Sequence, residues 1–182
     1  EGLERMTNQP SLLILLGLIH VNREEFKPAI VCFEKVEQSL KDHVNAVGSV
    51  PVFYFWYGVA CERDGQFDRA IELFEKHLAV YPKAHNALNY VAYMWAEKSV
   101  HLVKAREYAQ RALKLEPDNP AYLDTLGWIE YRTGDLVKAK EYVGRALKQM
   151  PDDATVLDHM GDILLALKRE RGAIGCWQRS NR

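Results

Sequence analysis

The segment Pro120–Asp153, PAYLDTLGWIEYRTGDLVKAKEYVGRALKQMPDD, constrains the fold more than any other stretch, because the rest of the chain returns to it with variations. Numbered from Pro120 as position 1, it places Leu123 at 4, Leu126 and Gly127 at 7 and 8, Gly134 at 15, Ala139 at 20, Val143 at 24, Ala146 at 27 and Pro151 at 32. Positions 4, 7 and 8 share one face of a 3.6-residue helix, and 20, 24 and 27 share one face of a second. Thr133-Gly134-Asp135 reads as the turn between them, so the unit is expected to be two amphipathic helices folded back on each other.

Four other stretches follow the same spacing. After a lead-in remnant at 1–9, a loose copy at 10–50 carries Leu13, Leu16, Gly17, Ala29, Phe33 and Val36, with Gln9-Pro10 as its helix start and no glycine in its turn Arg23-Glu24-Glu25. The next copy begins 41 rather than 34 residues later, so Leu40–Val50 is expected to hold a second helix lengthened to about Val44 and a loop at Gly48-Ser49. The copy at 51–84 is regular, with Tyr54, Tyr57, Gly58, Cys61, Gly65, Ala70, Phe74 and Pro82, although His77 stands where a small residue is usual. The copy at 85–119 has one extra residue, placed in the glycine-free turn Glu97–Leu102. The last, 154–182, gives Leu157, Met160, Gly161, Ala173 and Trp177 and stops partway through its second helix without a capping helix.

This spacing resembles the tetratricopeptide repeat, whose signature has a 34-residue period with Leu-Gly, Ala and Pro at these offsets. The reference unit departs from it at position 11, where Glu130 replaces the usual Tyr. The resemblance implies an all-α fold, a right-handed superhelical solenoid of about five antiparallel helix pairs. The runs NALNYVAY, AYLDTLGWIEYRTGD and LDHMGDILLALKR are also similar to repeat arrays in large bacterial proteins, several of them envelope-associated. A cytoplasmic or periplasmic, envelope-associated setting in a bacterium is the corresponding expectation.

Composition narrows the function. With 24 basic against 25 acidic residues, the chain has no electrostatic footprint for nucleic acid. Its most apolar run, Leu12–Ile19, is too short to cross a bilayer, so no membrane insertion is expected. Cys32, Cys61 and Cys176 form no paired motif and read as small packing residues, not a disulfide framework or zinc site. The six histidines never pair at helical spacing, and phosphate-cradling and nucleophile-elbow motifs are absent. His159 and Asp162 lie close in sequence but form no recognised metal-ligand or acid–base motif, so the pair is set aside. No metal, no cofactor and no catalysis are expected.

The expected function is a scaffold that binds a partner protein or peptide. Helix positions 2, 5, 9, 12 and 13 lie away from the face that meets the second helix, and the resemblance places them on the inner, concave groove of the superhelix. The candidate groove residues are Phe55, Glu62 and Arg63; Asn86, Asn89, Tyr93 and Glu97; Asp124, Trp128, Tyr131 and Arg132; and Asp158 and Asp162. Tyr93 and Trp128 have the chemistry of binding anchors, while asparagines can satisfy the backbone of an extended peptide. Packing between repeats is the alternative for Phe55, Tyr93 and Trp128. The Lys/Asn set that one subclass uses to grip a chaperone's terminal carboxylate is missing, and carboxylates outnumber arginines in the groove. A partner with apolar anchors and basic character is therefore expected. The alternative function is an assembly arm or a regulatory segment of a larger protein, self-associating through the uncapped ends.

Overall fold

The computed structural model describes residues 9–42 and 51–181. These residues form ten α-helices and no strand: α1 (Pro10–Asn22), α2 (Phe26–Asp42), α3 (Pro51–Arg63), α4 (Phe67–Val80), α5 (His85–Glu97), α6 (Leu102–Leu115), α7 (Pro120–Thr133), α8 (Leu136–Gln149), α9 (Ala154–Ala166) and α10 (Glu170–Ser180). Each odd-numbered helix packs chiefly on the even-numbered helix that follows it, and the fold is an all-α repeat solenoid. The chain divides into two compact units, one ending at Pro82 with α1–α4 and one starting at Lys83 with α5–α10. The expected helix end near Val44, the Gly48-Ser49 loop and all but the last residue of the 1–9 lead-in fall outside the described residues.

Local chemistry sets the helix ends. Asn119 caps α7, its side chain accepting from the Ala121 and Tyr122 amides, with Pro120 at the first helical position. Asp135 and Asp153 cap α8 and α9 in the same way, through Lys138 N and Val156 N. Pro82, Pro117 and Pro151 each follow a helix that ends two residues earlier, at Val80, Leu115 and Gln149.

Position 15 imposes one backbone state on every pair. Gly65 and Gly134 sit there at φ +81° and +90°. Glu24, Ser99 and Lys168 adopt the same left-handed conformation without being glycine, at φ 59°, 54° and 60°. A glycine-free turn thus keeps the turn geometry at the expense of backbone strain. In the α5–α6 turn, Val100-His101 stand where Asp135 alone stands in the next pair, and His101 is itself left-handed at φ 49°.

The small residues at position 8 admit a large partner. A Cβ on Gly17 would lie 2.6 Å from the Phe33 ring, and one on Gly58 would lie 2.9 Å from Phe74. Gly127 meets Val143 and Gly161 meets the Trp177 indole in the same way, more tightly still. The close approach therefore runs mainly from position 8 to position 24, although the Ala139 carbonyl also lies 3.1 Å from a Gly127 Cβ. The α5–α6 pair has Ala92 at position 8 and, at the register equivalent of position 24, Ala109; both are fully buried.

In the first unit, Phe33 of α2 meets Phe53 and Tyr57 of α3, ring centroids 6.2 and 5.6 Å apart, and Val36 of α2 is fully buried. Buried Glu37 accepts from Lys76 Nζ at 2.7 Å and from Arg69, which also lies 5.4 Å from the Tyr57 ring centroid. The unusual His77 is buried, its ring 5.6 Å from Phe55 and 5.0 Å from Tyr81. In the second unit, Leu123, Ala139, Val143 and Ala146 of one pair pack on Val156, Met160 and Ile163 of the next. Glu130, the departure at position 11, is only 4% exposed and takes a two-pronged ion pair from Arg106 of the preceding pair, at 2.7 and 2.9 Å. The same guanidinium reaches Thr133 Oγ1 at 2.9 Å.

Candidate functional site

Three first helices of the second unit, α5, α7 and α9, lie side by side and carry ten of the thirteen residues singled out from the sequence. What joins them is a layer of polar and aromatic side chains. Asp124 of α7 is 5% exposed and receives His159 Nδ1 of α9 on both carboxylate oxygens, at 3.0 and 2.9 Å. A carboxylate only accepts, so Nδ1 carries the proton and donates. The His159 ring stacks on the Trp128 indole at 4.1 Å and 14°, and Trp128 stacks in turn on Tyr131 at 4.8 Å and 16°. Tyr93 of α5 also approaches the histidine, its ring tilted by 46° with 6.4 Å between centroids.

The indole N–H of Trp128 donates to Glu97 Oε1 of α5 at 2.6 Å. Arg132, one helical turn further on, lies 5.5 Å from the Trp128 ring centroid, donates to Ser99 Oγ at 2.7 Å and reaches the Glu97 carbonyl at 3.3 Å. Each stacked pair contributes roughly 0.5–1.5 kcal/mol beyond its area burial. Three helices from three repeats are thereby tied together through Asp124, His159, Trp128, Glu97 and Arg132.

The remaining candidates divide by exposure. Asn86 and Asp158 are exposed and Asp162 half-buried; neither aspartate makes a hydrogen bond or ion pair among the described residues, while Asn86 Oδ1 folds onto the Ala87 amide at 2.9 Å. Asn89 is half-buried, but its Oδ1 is shut away from solvent and has no hydrogen-bond partner. On α3 of the first unit, Phe55 is 8% exposed and packs within its own pair, 5.6 Å from Phe74. Glu62 Oε2 is also buried without a hydrogen bond, 3.4 Å from Nε of exposed Arg63. Burial raises the Glu62 carboxyl above its usual range, with Arg63 opposing.

Two of the candidate groove residues, Phe55 and the expected anchor Trp128, thus sit differently from the sequence expectation. Phe55 faces its pair's interior, and Trp128, 6% exposed, is the floor of the surface instead of an open aromatic. Position 9 turns inward here because His159 stacks on the indole and Glu97 takes its edge N–H, both from neighbouring repeats. The sequence reading passed over His159, judged only against Asp162 on its own helix. Its partner comes from the preceding repeat, 35 residues away. A histidine at position 6 following an aspartate at position 5 of the repeat before is the signal that would have found it.

No group of three or more candidate metal ligands occurs among the described residues. Cys32 and Cys61 are buried and Cys176 half-buried, all as free thiols, and burial pushes the Cys61 thiol up to about 12. No helix among the described residues is long and apolar enough to cross a membrane.

These features define a class, the helical repeat scaffold, and comparison with known proteins gives the family. Sequence profiles of the tetratricopeptide repeat match residues 51–94 and 101–154. The chain belongs to the tetratricopeptide repeat family, whose helical arrays serve as protein-interaction scaffolds. It is 44% identical over 57 residues to the TPR repeat-containing protein PA4667 of Pseudomonas aeruginosa, a match covering 31% of the chain and 10% of that protein. Against the CTR9 homolog of Arabidopsis thaliana it is 26% identical over 129 residues, 70% of the chain and 11% of that protein. The chain thus spans about a tenth of the length of these curated relatives. Among solved structures, MamA 41-end from Desulfovibrio magneticus RS-1 superposes with a TM-score of 0.74 at 16% identity, over 94% of this chain and 92% of that one. MamA MSR-1 superposes with a TM-score of 0.71 at 17% identity, over 94% of each chain. At such identities the likeness is one of fold.

Proposed function

We propose that the protein is a non-catalytic scaffold that holds a partner peptide or helix on the shared face of α5, α7 and α9. The observation that carries this reading is Asn89 Oδ1, an acceptor buried without a donor beside the aromatic layer. Leaving such a group unpaired costs roughly 1–3 kcal/mol, and a backbone N–H of a bound chain would recover it. Tyr93 and Tyr131, both half-buried, supply apolar area on either side. The free carboxylates of Asp158 and Asp162 favour basic character in the partner. On α3, Glu62 presents the same combination of a buried acceptor and a negative charge. The partner class is therefore a basic segment with aliphatic or aromatic anchors.

The test is a titration of a hexapeptide alternating lysine and leucine, read by backbone amide shifts. Perturbation centred on α5, α7 and α9, lost in an Asp158→Lys/Asp162→Lys double variant, supports the reading. Unchanged affinity in that variant refutes it.

A second reading, an assembly arm or regulatory segment of a larger bacterial protein, has its own observation. Leu12, Leu15, Leu16 and Ile19 of α1 are 40–54% exposed. The register-equivalent residues Tyr122, Thr125, Leu126 and Ile129 of α7, and Val156, His159, Met160 and Ile163 of α9, are all buried. Self-association through this face predicts a mass that rises with concentration in light scattering; a constant monomer mass removes it.

A further inference from the structure

Helices α6 and α8 are near copies, LVKAREYAQRALKL against LVKAKEYVGRALKQ, yet what lies beside them differs. Next to α6, Arg106 is held by Glu130 and Thr133 of the following repeat. Next to α8, the equivalent cation is Lys140, and the positions of Glu130 and Thr133 are taken by Leu164 and Leu167. Lys140 therefore has no acceptor there and forms no ion pair among the described residues. The equivalent of Gln110 is Gly144, so the side chain that α6 presents is missing as well.

The result is an open cavity of about 610 Å³ between α8 and the turn that leads into α10. Val137 and Leu167 give it apolar walls, and Lys140, Lys148 and Arg169 surround it with positive charge. Arg145, already paired with Asp118 at 2.6 Å, and one carboxylate, Glu141, complete the lining. The glycine is not required by packing. A Cβ at Gly144 would meet only Met160 Cε, at an ordinary 3.8 Å, and an interior helix glycine is less favourable than alanine. A helix that gives up a side chain without steric need, beside cations without partners, leaves room for something else.

We propose that this cleft is a second binding site, distinct from the face of α5, α7 and α9, and that it takes an acidic, extended peptide segment with an apolar side chain seated over Gly144. Spacing favours a peptide over a compact anion. Lys140 and Lys148 are rooted eight residues apart on α8, about 12 Å along its axis, a span that an extended chain covers in about four residues. The apolar side chain rests between Val137 and Leu167, and the flanking carboxylates meet Lys140 and Lys148, with Arg169 facing them from the α10 side.

The experiment titrates the intact chain with a hexapeptide alternating glutamate and leucine, its lysine-leucine counterpart, and tripolyphosphate, followed by backbone amide shifts and calorimetry. The acidic peptide is expected to shift the Gly144 amide and its α8 neighbours, and to bind at least about tenfold more tightly than the lysine peptide does at this cleft. Gly144→Gln, which installs the residue α6 already carries, is expected to weaken the acidic peptide at least about tenfold with no loss of melting temperature. Lys140→Glu/Lys148→Glu, which breaks no ion pair among the described residues, is expected to abolish binding. The Asp158→Lys/Asp162→Lys variant should leave acidic-peptide binding unchanged, which separates this site from the proposed function above. No shift at Gly144, equal binding of both peptides there, full affinity in either cleft variant, or tripolyphosphate binding as tightly as the acidic peptide would each overturn the proposal.

Discussion

At the scale of single residues, position 15 shows how a repeat enforces geometry against local preference. Lys168 holds a left-handed backbone at φ 60° that a side chain disfavours by roughly 1–2 kcal/mol. Glycine relieves that strain but loses more entropy on folding, so Lys168→Gly is expected to stabilise by about 0.5–1 kcal/mol in urea denaturation. Gly134→Ala, at φ +90° with open space around its Cβ, should destabilise by about 1 kcal/mol through the backbone alone. Glu62 makes a prediction about pH. Burial raises its folded-state pKa, so its charge opposes folding at pH 7, and the cost disappears as pH falls through the raised pKa to below the unfolded value. Glu62→Gln is expected to melt higher than the parent at pH 7, with the two curves converging in acid. A constant difference across that range would contradict the assignment.

At the scale of helices, the contact between positions 8 and 24 sets how closely each pair approaches. Gly127→Ala drives a methyl into Val143 and to 3.0 Å from its backbone nitrogen, and should cost about 1–3 kcal/mol. Adding Val143→Ala recreates the Ala92 and Ala109 combination of the α5–α6 pair, so the double variant is expected to cost less than the two single changes summed. The Arg106–Glu130 pair ties neighbouring repeats in the same way. Glu130→Gln removes the charge opposite a guanidinium that remains partly buried, and should destabilise by about 2 kcal/mol or more. Much of this was legible in the sequence because a 34-residue period fixes helix faces: the Leu, Gly and Ala positions, the turn at Gly134 and the proline stops follow from spacing alone. Side-chain traffic between repeats was not. Periodicity within one helix says nothing of what the next repeat places against it, which is why Trp128 reads as an open anchor, His159 as a bystander and Glu130 as a departure without a partner.

At the scale of the whole molecule, one face stands apart from the architecture common to all the repeats. The face of α5, α7 and α9 combines a locked polar and aromatic floor with the unpaired acceptor of Asn89 and the free carboxylates of Asp158 and Asp162. Asp124, His159, Trp128 and Glu97 bond and stack with one another across three repeats beneath it, so the proposed partner would meet a preformed surface at a small ordering cost. The acidic and aromatic residues of this face are legible in the sequence because the repeat signature leaves those positions free, whereas the burial of Trp128 and its stacking on His159 are not. The most direct measurement is the affinity of the alternating lysine-leucine hexapeptide for the parent chain and for Asp158→Lys/Asp162→Lys, by calorimetry at physiological salt. The account predicts a loss of at least about tenfold in the variant with its melting temperature held. Equal affinity for the two proteins would contradict it.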